Sequence, residues 1–543
     1  MQRDPAALAG RTFDVVVIGG GIYGAIAAWD ATLRGMSVAV IDRGDFGGGT
    51  SFNNAKTVHG GVRALQSGDV AALRRFARER RALSRVLPHL IRPLPFVIPT
   101  FRGLPRNRGL LRLYFALADR LVRSCAEGNG AAGHLPRSRV LSRDECLRLN
   151  PLIDPTGVTG GIEWFDCQMY NSDRVHFSFI ASAAEAGAVA VNYMEATAAL
   201  GRGADLAGLR VRDRLSGEAL DVRARVVLNA AGPWAPELGR RLAAGGGARL
   251  HGRLSKAMNF VIASSLPGTH AVAGSAGGRM LFVAPWREHA IVGTSHDRHD
   301  GGADALALDR RQIDAFLAAV AGAFPGLPLD PGDVRLVHRG LLPASPRGDG
   351  VRLETRSAVV DHRVDGIHGL ISVLGVRYTT ARDTAERAVD LAADQLARPF
   401  GPCRTAVAPL AGGDMADFDD FLRDATTAES DAVSARTRER LARTYGTRYR
   451  RVVERLDSSS DDRGPLGAAC PVTVGEVRHA VREEMAVKLG DALLRRTEAG
   501  SAGHPGDDAV SKAAAVMAGE LAWTRQRMER EITELRRTYQ LPR

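Results

Sequence analysis

Between Gly49 and Asp69 the chain reads GTSFNNAKTVHGGVRALQSGD, a polar stretch that sets His59, Gly60, Gly61 and Arg63 side by side. An imidazole exchanges a proton near neutral pH, so His59 can act as a base or a proton relay. The Arg63 guanidinium stays charged and offers a fork that grips a phosphate or carboxylate with two hydrogen bonds. Glycines between them let another group lie against bare backbone. Each functional reading has a plain rival: His59 as a hydrogen-bonded structural histidine, Arg63 as a surface ion pair.

Such residues act only if something holds them, and a dinucleotide-type unit lies just upstream. FDVVVI at Phe13–Ile18 reads as a buried strand. GGGIYGAIAAWDATLRG follows, with Gly19, Gly21 and Gly24 in G-x-G-x-x-G and Ile22, Ala25, Ile26 and Ala28 at helical spacing. MSVAVID, Met36–Asp42, reads as a second strand ending in an acid. In such a βαβ unit Gly19 permits the tight turn, Gly21 lets backbone approach a pyrophosphate, and Gly24 lets helix pack on strand. The helix N-terminus faces the phosphates, and Asp42 accepts from a ribose. The fingerprint alone does not separate FAD from NAD.

The continuation resembles FAD-dependent glycerol-3-phosphate dehydrogenases, whose motif is close to T-S-x-x-x-(S/A)-K-x-x-H-G-G-L-R-Y-L, against TSFNNAKTVHGGVRAL here. Further stretches are similar to that family in the same order: GIEWFDCQMYNSD (Gly161–Asp173, followed by Arg174), VVLNAAGPW (Val226–Trp234), MLFVAPWREHAIVGTSHD (Met280–Asp297), LISVLGVRYTTAR (Leu370–Arg382) and EVRHAVREEMAVKLGDALLRRT (Glu476–Thr497). The resemblance implies a Rossmann-like FAD-binding domain, a β-rich substrate (cap) domain and a C-terminal α-helical domain, an α/β and α+β architecture. It implies that Thr50, Ser51 and Lys56 run along FAD, with Gly60 and Gly61 under the isoalloxazine. Gly232, Gly375 and Thr379 would also bind the cofactor, with a helix N-terminus at Thr379–Thr380 meeting the flavin. His59, Arg63 and Arg377 would be the catalytic set, with Arg63 and Arg377 also holding substrate. His296 is a second base candidate, its rival reading a hairpin histidine. FAD is expected to be non-covalent.

The chain departs from the family's pattern where substrate should bind. The Tyr after Arg63 is Ala64, the Arg of a G-x-R-P-L motif is Leu342 within GLLPA, and the Lys of G-G-K-x-T-T is Arg377, preceded by Val376. Arg339 and Arg347 flank the altered motif and are expected to compensate for the missing cation, Arg339 as a substrate-binding residue. Lys256 aligns with a K-G-S-H stretch whose His is Asn259 here, and reads as structural.

A chain of 543 residues predicts two or three domains. The FAD domain is expected at about 10–90, 165–245 and 335–400, the cap at about 91–164 and 246–334, and the helical domain at about 410–543. SSSDDRGPLG (Ser458–Gly467) and EAGSAGHPGDD (Glu498–Asp508) read as loops, and Ala509–Tyr539 suits one or two helices. No apolar run is long enough for a transmembrane helix, and MQRDPAALAGRT has no apolar core of signal-peptide type, so cytoplasmic residence is expected. The net charge of +12, mostly from Arg, suits an anionic substrate or an anionic membrane surface, or reflects codon bias. No compact basic module with interleaved aromatics speaks for nucleic acid. Cys125, Cys146, Cys167, Cys403 and Cys470 are scattered and odd in number, which suits free thiols rather than disulfides or a metal site. Arg106–Arg123, RNRGLLRLYFALADRLVR, reads as a basic amphipathic helix that either packs on the cap or lies on the inner face of a membrane.

The leading expectation is oxidation of glycerol 3-phosphate, or a related anionic polyol phosphate, to dihydroxyacetone phosphate. Electrons would pass to a quinone or another acceptor, and an oligomer is compatible. The alternative is an oxidase or dehydrogenase of another small hydroxy acid or amine.

Overall fold

The computed structural model describes residues 1–542 except 105, 124–134, 203, 244–252, 264–267, 348–349 and 429–432. Cys125 and the side chain of Arg347 lie outside the described residues. The chain opens with β1 (Thr12–Ile18), α1 (Ile22–Leu33) and β2 (Val38–Ile41). Six of the seven β1 residues are buried, as befits a central parallel strand covered on both faces. Its neighbours are β2 on one side and Ala219–Asn229 on the other, both parallel. Leu370–Leu374 and Val189–Val191 extend the parallel sheet outward. Helices α1, Ser172–Glu185 and Ala381–Leu396 cover one face through an Ala/Val/Ile core.

The second sheet contains β3 (Thr57–Val58) and β4 (Ile91–Thr100), with α2 (Val70–Val86) between them and α3 (Arg108–Arg123) after them. It is ten-stranded and mostly antiparallel, and its long central strands are Arg253–Ala263, His289–His299 and Val334–Arg347. Sheet membership departs from the sequence partition: β3, inside the span 10–90, lies in the second sheet. Val334–Arg347 pairs with Arg253–Ala263 in the second sheet, so the span 335–400 divides between the two sheets. Strand partners are chosen by long-range packing, which local sequence does not carry.

The described residues of the C-terminal part, from Phe418 to Tyr539, are mainly helical. Ala509–Tyr539 contributes to two helices, Asp507–Leu521 and Arg525–Tyr539. Ser458–Gly467 is not the expected loop: it holds a helical turn, Ser460–Arg463, and a short strand, Pro465–Gly467, paired with Cys470–Thr473. Buried Asp462 pairs with Arg478, and the Lys512 ammonium donates to the Pro465 carbonyl at 2.8 Å, which fixes this polar stretch. Arg495 and Arg496 both reach Asp45 at 2.6 Å, fastening the helical part to the loop that follows β2.

Candidate active site

A cavity of about 1980 Å³ runs from the β1–α1 turn, between the two sheets, to the face of α2 and α3. At its first end Gly19 has φ +95°, and a side chain there would meet the Ala230 carbonyl oxygen at 2.6 Å. A side chain on Gly24 would lie 1.9 Å from the Gly19 oxygen, so helix and turn touch through bare backbone. Helix α1 has Gly21 as N-cap and no acid in its first turn, leaving its positive end for an anion. The Ser51 hydroxyl accepts from Ile22 N–H at 2.9 Å, so the polar segment docks on that helix end. Asp42 Oδ2 accepts from Gly20 N–H and Oδ1 from Gly44 N–H, each at 2.8 Å. Burial raises its pKa to about 6, against those two hydrogen bonds.

Thr50 and Gly232 line the same wall, and the Thr50 hydroxyl donates to the Leu341 carbonyl at 3.2 Å. Gly375 is glycine for a reason the sequence hides: any side chain would strike the Tyr23 ring. From α1, the Tyr23 hydroxyl donates to the Arg377 carbonyl at 2.7 Å and accepts from Arg377 N–H at 2.9 Å and Val376 N–H at 3.0 Å. Thus the first helix of the fold fixes the backbone that presents Arg377.

His59, Arg63, Arg377 and Thr379 come together at the second end, with Ala64, His296 and Leu342 also in the wall. The His59 amide donates to the Thr379 hydroxyl at 3.1 Å, joining two segments more than 300 residues apart. The His59 ring is 54% exposed, and its Nδ1 lies 3.5 Å from Asp166 Oδ2. Asp166 Oδ1 accepts from Gly60 N–H at 2.7 Å and faces Arg80 at 3.4 Å. The sequence reading missed Asp166, although it stands within GIEWFDCQMYNSD. Asp166→Asn keeps an acceptor for Gly60 but removes the charge opposite Arg80. It should lower stability by about 1–3 kcal/mol, read as a fall in thermal midpoint. An unchanged midpoint would mean that the charge does not hold the His59 segment.

Four sequence-predicted residues lie off the cavity wall. Gly24 packs helix on strand, the part that the fingerprint gives it. Gly60 faces Arg80 and Asp166, so a side chain there would meet the Arg80 guanidinium at 2.1 Å. Gly61 does line the wall, yet its own missing side chain points at Phe76, and its φ is +75°. At both glycines the space a side chain would need is taken by protein neighbours. Lys56 is wholly buried, its ammonium donating to the Phe52 carbonyl and the Ser172 hydroxyl, both at 2.7 Å. Burial lowers its pKa to about 8, against the pull of Asp173. It is a tie between the polar segment and the helix Ser172–Glu185. Arg339 pairs across the sheet with Met258, in the core beneath helix Arg310–Ala323, on the face opposite Gly340 and Leu342. Strand alternation thus turns it away from the cavity. Lys256 donates to the Ala307 carbonyl at 2.9 Å, a structural role.

A model of the FAD dependent oxidoreductase family matches residues 14–381, and one of the C-terminal domain of alpha-glycerophosphate oxidase matches residues 403–528. The chain belongs to the glycerol-3-phosphate dehydrogenase family of FAD-dependent oxidoreductases. Glycerol-3-phosphate dehydrogenase 2 of Mycobacterium tuberculosis is 31% identical, over 96% of this chain and 87% of that protein. The glycerol-3-phosphate dehydrogenase of Synechocystis sp. is 28% identical, over 98% and 97%. The crystal structure of the enzyme from Bacillus halodurans complexed with FAD is 26% identical, with a TM-score of 0.77 over 98% of this chain and 96% of that one.

The cofactor of this FAD-dependent oxidoreductase is FAD, and the residues present fit it. The side-chain-free contacts at Gly19 and Gly24, the open helix end at Gly21 and the carboxylate of Asp42 form a cradle for a dinucleotide. The cavity then continues past Thr50 and Gly232 to His59 and Arg377.

Proposed function

We propose that the protein oxidises glycerol 3-phosphate, or a close polyol phosphate, to the corresponding ketone. The observation that carries this reading is the meeting of Arg63 and Arg377 with His59 in one wall of the cofactor cavity. Neither guanidinium has an ion-pair partner among the described residues, so both are available to an anion. Bound FAD supplies the acceptor for the two electrons of the substrate's C–H bond. Arg63 and Arg377 hold the phosphate and so aim the reacting carbon. Through its Nδ1, His59 faces Asp166, which leaves its Nε2 to take the hydroxyl proton. A second reading, another hydroxy acid or an amine, is favoured by Ala64 and Leu342, which line the cavity in place of the family's Tyr and Arg. Reduction of the bound flavin by glycerol 3-phosphate but not by hydroxy acids or amines supports the first reading; the reverse supports the second.

Asp42 offers a test of the cofactor's seat. A ribose hydroxyl donates to the ionised carboxylate, so protonation of Asp42 opposes binding. With its pKa raised by burial to about 6, FAD affinity of the apoprotein should fall as pH drops below about 6, by at most roughly tenfold per pH unit, and level off above. A flavin-fluorescence titration reads this, and a flat profile across that range would remove Asp42 from the ribose.

The acceptor in this reading is a quinone, reached at an anionic membrane surface. Among the described residues no helix is long and apolar enough to cross a membrane. Helix α3 instead exposes Leu110, Leu113 and Leu117, the second at 68%, beside exposed Arg108, Arg112 and Arg120. Its other face supplies Leu111, Tyr114 and Phe115 to the cavity. An apolar stripe with basic flanks supports an interfacial helix. Replacing Leu113 and Leu117 by Ser should weaken sedimentation with anionic vesicles by about tenfold or more. Equal sedimentation of variant and parent would refute this placement.

A further inference from the structure

Helix α2 brings to the cavity an arginine that no sequence motif singles out. Arg75 lines the wall together with Arg63 and Arg377, and its Nε is buried without a hydrogen-bond partner. Among the described residues none of these three guanidiniums is ion-paired. Their neighbours differ: Arg356, in the same wall, meets Asp69 at 3.7 Å, and Arg382 meets Glu79 at 2.6 Å. Burial, together with the like charges of Arg75 and Arg63, lowers the Arg377 pKa from its ordinary value. Three cations gathered without an ion-pair partner among the described residues repel one another, and a multiply charged anion relieves that repulsion.

Helix α3 adds a phenol at the same place. The Tyr114 hydroxyl donates to the Val62 carbonyl, one residue before Arg63, and the residue lines the cavity with Ala64. Burial raises its pKa, against the nearby charge of Arg63, so the phenol stays a neutral donor.

We propose that Arg75 and Tyr114 rebuild the anion site that Leu342 and Ala64 leave incomplete. Arg75 is the third cation on a phosphomonoester dianion, and Tyr114 is a positioning residue that fixes the turn bearing Arg63. This assignment rests on the phosphate reading above. Two helices near the cavity thereby supply, from new chain positions, the charge and the phenol absent from the motif positions.

The test uses FAD-loaded enzyme, parent and Arg75→Gln, with Arg75→Lys and Tyr114→Phe beside them. Inorganic phosphate binding is read from the shift it causes in the flavin spectrum, and anaerobic flavin reduction is followed with glycerol 3-phosphate. Arg75→Gln should weaken phosphate binding roughly ten- to a hundredfold at unchanged FAD content, and Arg75→Lys should recover part of it. Tyr114→Phe should raise the substrate concentration for half-maximal reduction while leaving the rate at saturation unchanged. Phosphate binding by Arg75→Gln equal to the parent's, or no phosphate binding by the parent, overturns the assignment. A parent that binds phosphate yet is not reduced by glycerol 3-phosphate leaves this anion site standing and removes the proposed substrate.

Discussion

Gly24→Ala is expected to purify without bound FAD. The new methyl group would sit 1.9 Å from the Gly19 carbonyl oxygen and 3.1 Å from a Val17 methyl. The first of these is backbone at the tight turn, so no side chain can swing aside, and α1 must move off β1. Overpacking of this kind destabilises by about 1–3 kcal/mol or more. The shift also carries the Gly21 helix end away from the pyrophosphate position, so the loss falls on the cofactor before the fold. The measurement is the visible flavin absorbance of the purified variant against the parent, with circular dichroism to show retained helix. Full FAD occupancy in Gly24→Ala would mean that the β1–α1 contact does not shape the cradle.

Arg377→Ala should be the second large loss, this time with FAD retained. The residue stands 5.1 Å from the centre of the Phe76 ring and has its backbone fixed by Tyr23. A charge-assisted bond from such a site to a phosphate is worth about 1.5–3 kcal/mol, so kcat/KM should fall by roughly ten- to a hundredfold. Arg377→Lys keeps the charge and loses the fork, and should lie between the two. Steady-state kinetics with an artificial acceptor measures this. A variant with unchanged kcat/KM would place the phosphate away from Arg377.

The parts legible in the sequence are those whose cause is local. The β1–α1–β2 unit follows from an apolar run, glycines at fixed offsets and helical periodicity, and the structure places those elements within about two residues of the reading. His59, Arg63, Arg377 and Thr379 stand in sequence motifs, and the fold brings them to one wall. The rest depended on distant partners. Asp166 reaches His59 across β3 and the strand Gly160–Met169, and Tyr23 reaches Arg377 from the other end of the chain. Arg75 and Tyr114 lie on helices whose apolar periodicity says only that one face is buried, not that it opens on a cavity. Arg339 was within reach of a sequence argument. Alternation along a strand puts it on the face opposite Leu342, so a reading that sets Leu342 in the site must turn Arg339 away. Lys56 shows the converse, a motif residue whose side chain ties the protein to itself.

In the proposed reaction Arg63, Arg377 and His59 form a site where an anionic alcohol reduces bound FAD. The most direct measurement is anaerobic bleaching of the flavin's visible band after mixing with glycerol 3-phosphate and, separately, with glycerol. Fast bleaching by the phosphate ester and none by glycerol is the predicted result. Bleaching by glycerol alone, or by neither while FAD is bound, would contradict it.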